Sequence, residues 1–168
     1  IPTVPYFLSY AAKKSGYNPR LILASRAIND HMTQFITDII LENLSNLNKE
    51  AVNAKIVILG LTYKENVADT RDNPVVDLIK KLKDQNVTIY GFDPLLTKNE
   101  IADFGIIPLD TLDKPVDGYI LAVPHKQFLD GMNGELWHNA KPDILFVDIK
   151  GVFYKNKEVR KLFRYITL

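Results

Sequence analysis

The stretch GLTYKENVADTRDNP, residues 60–74, follows directly on the apolar run KIVILG at 55–60. A short β-rich run that ends on glycine and opens into a polar turn reads as the first strand and turn of a nucleotide-binding α/β unit. A dinucleotide fingerprint would place three glycines here, for the tight turn, the close approach to the pyrophosphate and the helix–strand packing. This turn has only Gly60. The stretch therefore calls for a parallel sheet with its first loop at the carboxyl edge, and leaves open what that loop binds.

Working downstream, PVVDLIKKLKDQ at 74–85 is an amphipathic helix, with Val75, Val76, Leu78, Ile79 and Leu82 expected inward. The run VTIYGFD at 87–93 is the next strand, so strand, helix and strand make a βαβ unit. GYILAV at 118–123 and DILFVDI at 143–149 are further strands, and FRYITL at 163–168 reads as one more. Strands that are apolar throughout belong to a sheet covered on both faces. Residues 51–168 are expected to form a small doubly wound, mainly parallel, Rossmann-like α/β domain.

The loop between the first strand and its helix runs to about 13 residues. Lys64 and Arg71 are its cations, and Asn73-Pro74 is a helix start that aims the positive end of the next helix at the same edge. A phosphate-bearing ligand suits that arrangement. Surface pairing of Lys64 and Arg71 with Glu65, Asp69 and Asp72 accounts for the same residues, and composition does not choose between the two.

Upstream, residues 1–50 read as helical. Tyr6–Lys14 makes a short helix stopped at Ser15-Gly16, and Asn18-Pro19 starts a second that runs without Gly or Pro to about Asn48. At 1.5 Å per residue such a helix is ~45 Å long. Ile28, Met32, Phe35 and Ile39 fall on one face, while Ile22, Ile36, Ile40, Leu44 and Leu47 add apolar surface beyond that stripe. Too little helical sequence follows to cover all of it. The helix is expected to span two domains or to pack against a copy of itself, with a long helix packed on its own domain as the alternative.

Hydrophobic residues make up 46% and charged residues 24% of the 168, which calls for a packed core. A net charge of +1 argues against a general nucleic-acid binder. There is no apolar run of ~18 residues to span a membrane, and the opening residues carry no basic leader, so a cytoplasmic location is expected. The absence of cysteine excludes disulfides, thiolate metal sites and cysteine catalysis within the chain.

The segment at 60–74, with Gly91-Phe92-Asp93-Pro94 and the upstream run PYFLSYAAKKSGYNPRLILASRAINDHM at 5–32, resembles the UDP-glucose/GDP-mannose dehydrogenase family. The wording is nearest the branch acting on UDP-N-acetylhexosamines, as in capsule and O-antigen synthesis. That resemblance implies two NAD-dependent oxidations of a sugar nucleotide, from alcohol to carboxylate. It implies an N-terminal NAD-binding domain, a central helix that builds a dimer and a C-terminal UDP-binding domain. The chain corresponds to the C-terminal portion, with residues 1–50 part of the central helical dimerisation domain and 51–168 the UDP-binding domain. By this match Tyr63 and Lys64 contact the UDP-sugar, Arg71 reaches toward NAD held by the other domain, and Lys150 of Asp148-Ile149-Lys150 also approaches the ligand. A solvated lysine at a strand end is the alternative for Lys150.

The family's cysteine segment would place its thiol just before Ile1 and an aspartate at Val4, so no catalytic residue is assigned within the chain. Its partners are expected to be a UDP-sugar and a second copy of itself. His125, after the strand at 118–123, is expected to cap, to sit at the surface or to touch the nucleotide. His31 and His138 lack metal-ligand spacing, and no metal site is expected. Asp93 and Asp148, at strand ends, are read as structural, and Tyr6, Phe7 and Tyr10 as packing on the helix or on a further domain. The competing reading is a stand-alone oligomerisation or binding module with no catalytic role.

Overall fold

In the computed structural model, residues 4–131 and 140–168 are described. Two helices lead: α1 (Val4–Lys14) and α2 (Arg20–Asn46). The sheet region follows as β1 (Lys55–Leu59), α3 (Pro74–Asp84), β2 (Thr88–Phe92), α4 (Lys98–Asp103), β3 (Ile107–Pro108), β4 (Gly118–Leu121), α5 (Lys126–Gly131), β5 (Leu145–Asp148), α6 (Lys157–Leu162) and β6 (Arg164–Thr167). The strands form one sheet in the order β3-β2-β1-β4-β5-β6, and every pairing is parallel. That is the doubly wound order of a Rossmann sheet, whose strand order reverses between β1 and β4.

Alternation along β1 explains the two layers. Ile56 and Ile58 face one side with Ile36, Ile40 and Leu44 of α2 and Leu78, Ile79 and Leu82 of α3. Val57 and Leu59 face the other, with Tyr119, Phe128, Phe146, Val159 and Phe163. Successive strand residues point to opposite faces, so an unbroken apolar strand needs cover on both. Gly91 gives room on the first side, because a Cβ there would come within 2.6 Å of Ile106 and 2.8 Å of Ile101.

The helices differ from expectation in detail. Val76 was placed inward but is 48% exposed. The buried set is Val75, Leu78, Ile79 and Leu82, and the residue after Val75 is turned about 100° off their face. Asn18 does not cap α2. Pro19 occupies the cap position without a side-chain hydrogen bond, and the helix begins at Arg20. The far end comes at Asn46, where Asn48 turns left-handed at φ 56° and Lys49 N–H closes back on the Leu44 carbonyl. At 27 residues α2 is still about 40 Å long. Its expected apolar stripe divides, with Ile28 and Phe35 exposed and Met32 and Ile39 half-buried.

Candidate functional site

The loop at 60–73 begins with a backbone that only glycine suits. Gly60 has φ +83°, and a Cβ there would overlap the carbonyl of Val123 on the β4 side. The Leu61 N–H donates to Asp93 Oδ2 at 2.6 Å, tying the residue after Gly60 to the end of β2. The last residue is tied as well. Asn73 donates from Nδ2 to the Leu61 carbonyl at 2.6 Å and accepts the Val75 N–H at 3.0 Å, so one side chain closes the loop and caps α3.

His125, on the turn after β4, lies beneath the loop and is fully buried. Its Nδ1 accepts the Asn66 N–H at 2.9 Å. A backbone N–H can only donate, so the hydrogen-bond network assigns the ring's proton to Nε2. That N–H points at Asp93 Oδ2, 3.0 Å away, with Thr62 Oγ1 at 3.2 Å. The Thr62 hydroxyl in turn donates to the Lys64 carbonyl at 3.0 Å. On the far side Asn66, at φ 60°, accepts the Lys126 N–H through Oδ1 at 2.8 Å.

This network fills the place where strand order reverses. In a dinucleotide site that crevice is open, and the acidic residue ending β2 is available for a ribose. Here Asp93 is consumed by the N–H groups of Leu61, Leu95 and His125. The residues present therefore do not fit NAD at this sheet's own switch point.

Of the four residues singled out in the sequence, Tyr63, Lys64 and Arg71 lie on the loop and Lys150 is held beside it through Glu65, without forming one cluster. Tyr63, whose N–H donates to the Asp69 carbonyl at 2.6 Å, lines a cavity of about 1390 Å³ bounded by α1, the first half of α2 and the start of α3. Arg26, Asn29 and Asp30 line it from α2. Arg26 donates to Asp30 at 2.5 Å and lies over the Tyr6 ring, whose hydroxyl donates to Asp30 at 2.6 Å. Lys64 is exposed, and its ammonium makes no hydrogen bond or ion pair among the described residues. Lys150, just beyond β5, pairs with Glu65, which brings the β5 end against the loop. The hydrogen bond from Lys150 holds the Glu65 carboxyl below the usual range.

Arg71 takes the surface pairing that the sequence left open. It is clipped to its near neighbour Asp69 by Nε at 3.0 Å and by a terminal nitrogen at 2.9 Å. Those side-chain bonds, then the Arg71 backbone N–H, pull the Asp69 carboxyl down to about 2. Neither Lys64, Arg71 nor Lys150 lines the cavity that Tyr63 faces.

A parallel sheet with a single-glycine first loop, closed by asparagine and flanked by lysines at its carboxyl edge, can be compared with known proteins. Residues 57–155 match the family model described as "UDP-glucose/GDP-mannose dehydrogenase family, UDP binding domain". The chain belongs to this family. Protein CapL of Staphylococcus aureus is 36% identical over 151 residues, covering 88% of this chain and 35% of its own length. UDP-N-acetyl-D-glucosamine 6-dehydrogenase of Pseudomonas aeruginosa is 30% identical over 160 residues, covering 94% and 38%. Among solved structures, a UDP-glucose dehydrogenase of Pyrobaculum islandicum superposes with TM-score 0.67 at 19% identity, over 77% of this chain and 30% of that one. The last likeness speaks for the fold. The chain thus spans a little over a third of the curated relatives' length and carries the family's UDP-binding part.

Within that part the carboxyl groups at strand ends accept donors from the loops and strands around them. Asp148 is buried and accepts the Phe153 N–H and the Tyr165 hydroxyl, each at 2.8 Å. Burial, then Asp148, pushes the Tyr165 phenol up. His125 is the residue least visible beforehand. A surface role fails because both ring nitrogens are engaged inside. The available signal was its position, four residues past the end of β4 and so at the ligand edge. His31 is exposed on α2, Tyr6, Phe7 and Tyr10 are exposed on α1, and His138 lies outside the described residues. No cluster of metal-ligating side chains occurs among the described residues.

Proposed function

We propose that the chain is the nucleotide-binding portion of an NAD-dependent UDP-N-acetylhexosamine 6-dehydrogenase, which oxidises its sugar to the uronic acid in the cytoplasm. Residues 51–168 hold the UDP half of the substrate, and residues 1–50 belong to the central helical domain, where α2 pairs with a second copy. Tyr63, Lys64 and Lys150 contact the sugar nucleotide. Arg71 unclips from Asp69 to reach NAD held outside this chain. The chain by itself carries no catalytic residue and should not reduce NAD with any UDP-sugar.

The observation that carries this reading is Lys64. On a loop fastened at both ends to the carboxyl edge, its ammonium is exposed without an ion-pair partner among the described residues, next to a second lysine held in place by Glu65. Two cations at the carboxyl edge of a parallel sheet suit a diphosphate. The branch of the family is supported by the wording at 5–32 and by the relative from Pseudomonas aeruginosa.

Calorimetric titration of the wild type and of Lys64→Ala with UDP tests the assignment. A hydrogen bond to a charged group contributes about 1.5–3 kcal/mol, so Lys64→Ala should bind UDP at least tenfold more weakly. The difference should narrow at high salt, where exposed charges are screened. Equal affinities would remove Lys64 from the site.

A further inference from the structure

The backbone from Thr62 to Asn66 forms an arch that carries Tyr63, Lys64 and Glu65, and one buried imidazole meets it at both feet. Nε2 of His125 lies 3.2 Å from Thr62 Oγ1, and Nδ1 lies 2.9 Å from Asn66 N. Asp93, from the end of β2, holds the same Nε2–H at 3.0 Å and the Leu61 N–H at 2.6 Å. Phe128 of α5 packs against the ring, with centroids 5.6 Å apart. Asp93 is the acidic side chain among these contacts, and it too is buried.

We infer that His125 is a positioning residue for nucleotide binding: it fastens the arch so that Lys64 and its neighbours are presented to the diphosphate in a fixed geometry. This rests on the placement of UDP proposed above. A loop of this length has many conformations in solution, and ordering it on binding would cost affinity. The imidazole orders it beforehand. The polarity of the contacts is dictated by backbone groups at both feet, a donating N–H at Asn66 and an accepting carbonyl at Lys64 that orients the Thr62 hydroxyl. Only a ring with a bare Nδ1 and a protonated Nε2 serves both. The lock crosses the sheet, joining the turn after β4 to the loop after β1 and the end of β2, so it fixes the arch relative to the strands.

Three readouts on the 168-residue chain test this, with UDP as the probe. Nitrogen-detected NMR of the wild type should show the His125 ring protonated at Nε2 with Nδ1 bare; a ring protonated at Nδ1 alone would overturn the lock without any variant. In His125→Phe, which keeps an aromatic ring beside Phe128, the Asn66 amide should lose about tenfold or more of its exchange protection, and UDP should bind roughly tenfold more weakly. His125→Asn keeps an acceptor where Nδ1 stood and should recover a large part of both, which a role in mere space filling would not produce. A folded His125→Phe with Asn66 still protected and UDP affinity unchanged would refute the proposal. The two inferences fail separately: a wild type that ignores UDP strikes the placement of the ligand, whereas unaltered Asn66 protection strikes the lock.

Discussion

Along α2, Ile40 and Leu44 are completely buried against α3 and the sheet, while Leu21, Ile28 and Phe35 keep 81%, 66% and 50% of their surface exposed. Along β1, every residue after Lys55 is buried. The sheet core is enclosed because helices lie on both of its faces, with the C-terminal half of α2 supplying part of the cover on one of them. The helical arm covers only the C-terminal half of its long helix. Exposed Phe7 and Tyr10 on α1 extend the same contrast to the first residues. The sheet region thus has a finished core, and the arm presents apolar surface suited to cover from outside, which is what the proposed pairing of α2 with a second copy would supply.

The largest effect expected from this contrast is on stability. Leu44→Ala opens a cavity in a closed core and should cost about 2–5 kcal/mol in urea unfolding. At a dilution where sedimentation shows a single chain, Phe35→Ala should stay within about 0.5 kcal/mol of wild type, because its ring is half in water already. At high concentration the wild type should associate, and Phe35→Ala should weaken that association. A dilute Phe35→Ala that is destabilised as much as Leu44→Ala, or a wild type that stays single at all concentrations, would erase the difference between the regions.

A smaller effect concerns the loop that joins site and sheet. Glu65 holds Lys150 in a partly exposed pair, and under the proposed placement of UDP it would compete for that lysine with the incoming phosphate. Exposed pairs are weak, so Glu65→Gln should raise UDP affinity by about two- to fivefold. Lower affinity would mean that Glu65 orders Lys150 for the ligand rather than withholding it.

The smallest effect is a titration. Arg71 lowers the Asp69 carboxyl from the ordinary 3.8 to about 2. A depressed value means that the clip is complete above the ordinary range and is lost as the pH falls through about 2. The carbon resonance of the Asp69 carboxyl should therefore stay nearly unchanged from pH 7 down to about pH 3 and move only below it. A midpoint near 4 would show Arg71 free of Asp69 and already able to reach elsewhere.

Much of this fold could be read before the structure. KIVILG, GYILAV and DILFVDI are apolar at consecutive positions, which only a doubly covered strand tolerates, and Asn73-Pro74 marked the start of α3 to the residue. Local signals of this kind depend on neighbours in sequence. Asn18-Pro19 looked equally clear and failed, because the proline took the cap position itself. The two-residue β3 was too short to announce itself.

The site was less legible, for a physical reason. The partners of His125 lie 32, 59 and 63 residues away, and nothing in the local pattern around it says which face of the turn is buried. Lys150 and Glu65 are 85 residues apart and meet only once β5 stands beside β4. Lys64 and Arg71 looked alike in sequence. The fold separates them: one ammonium stands exposed without an ion pair among the described residues, and one guanidinium is clipped to Asp69.

In the proposed function this chain meets a nucleoside diphosphate at the carboxyl edge, at the loop after β1 and the residues following β5. Amide shift mapping of the isotopically labelled chain during UDP titration tests it most directly. Shifts should concentrate at 61–66 and 148–151, with Lys64 and Lys150 among the largest, and the helical arm beyond the Tyr63 cavity should be unmoved. Shifts confined to α1 and α2, or none at millimolar UDP, would contradict it.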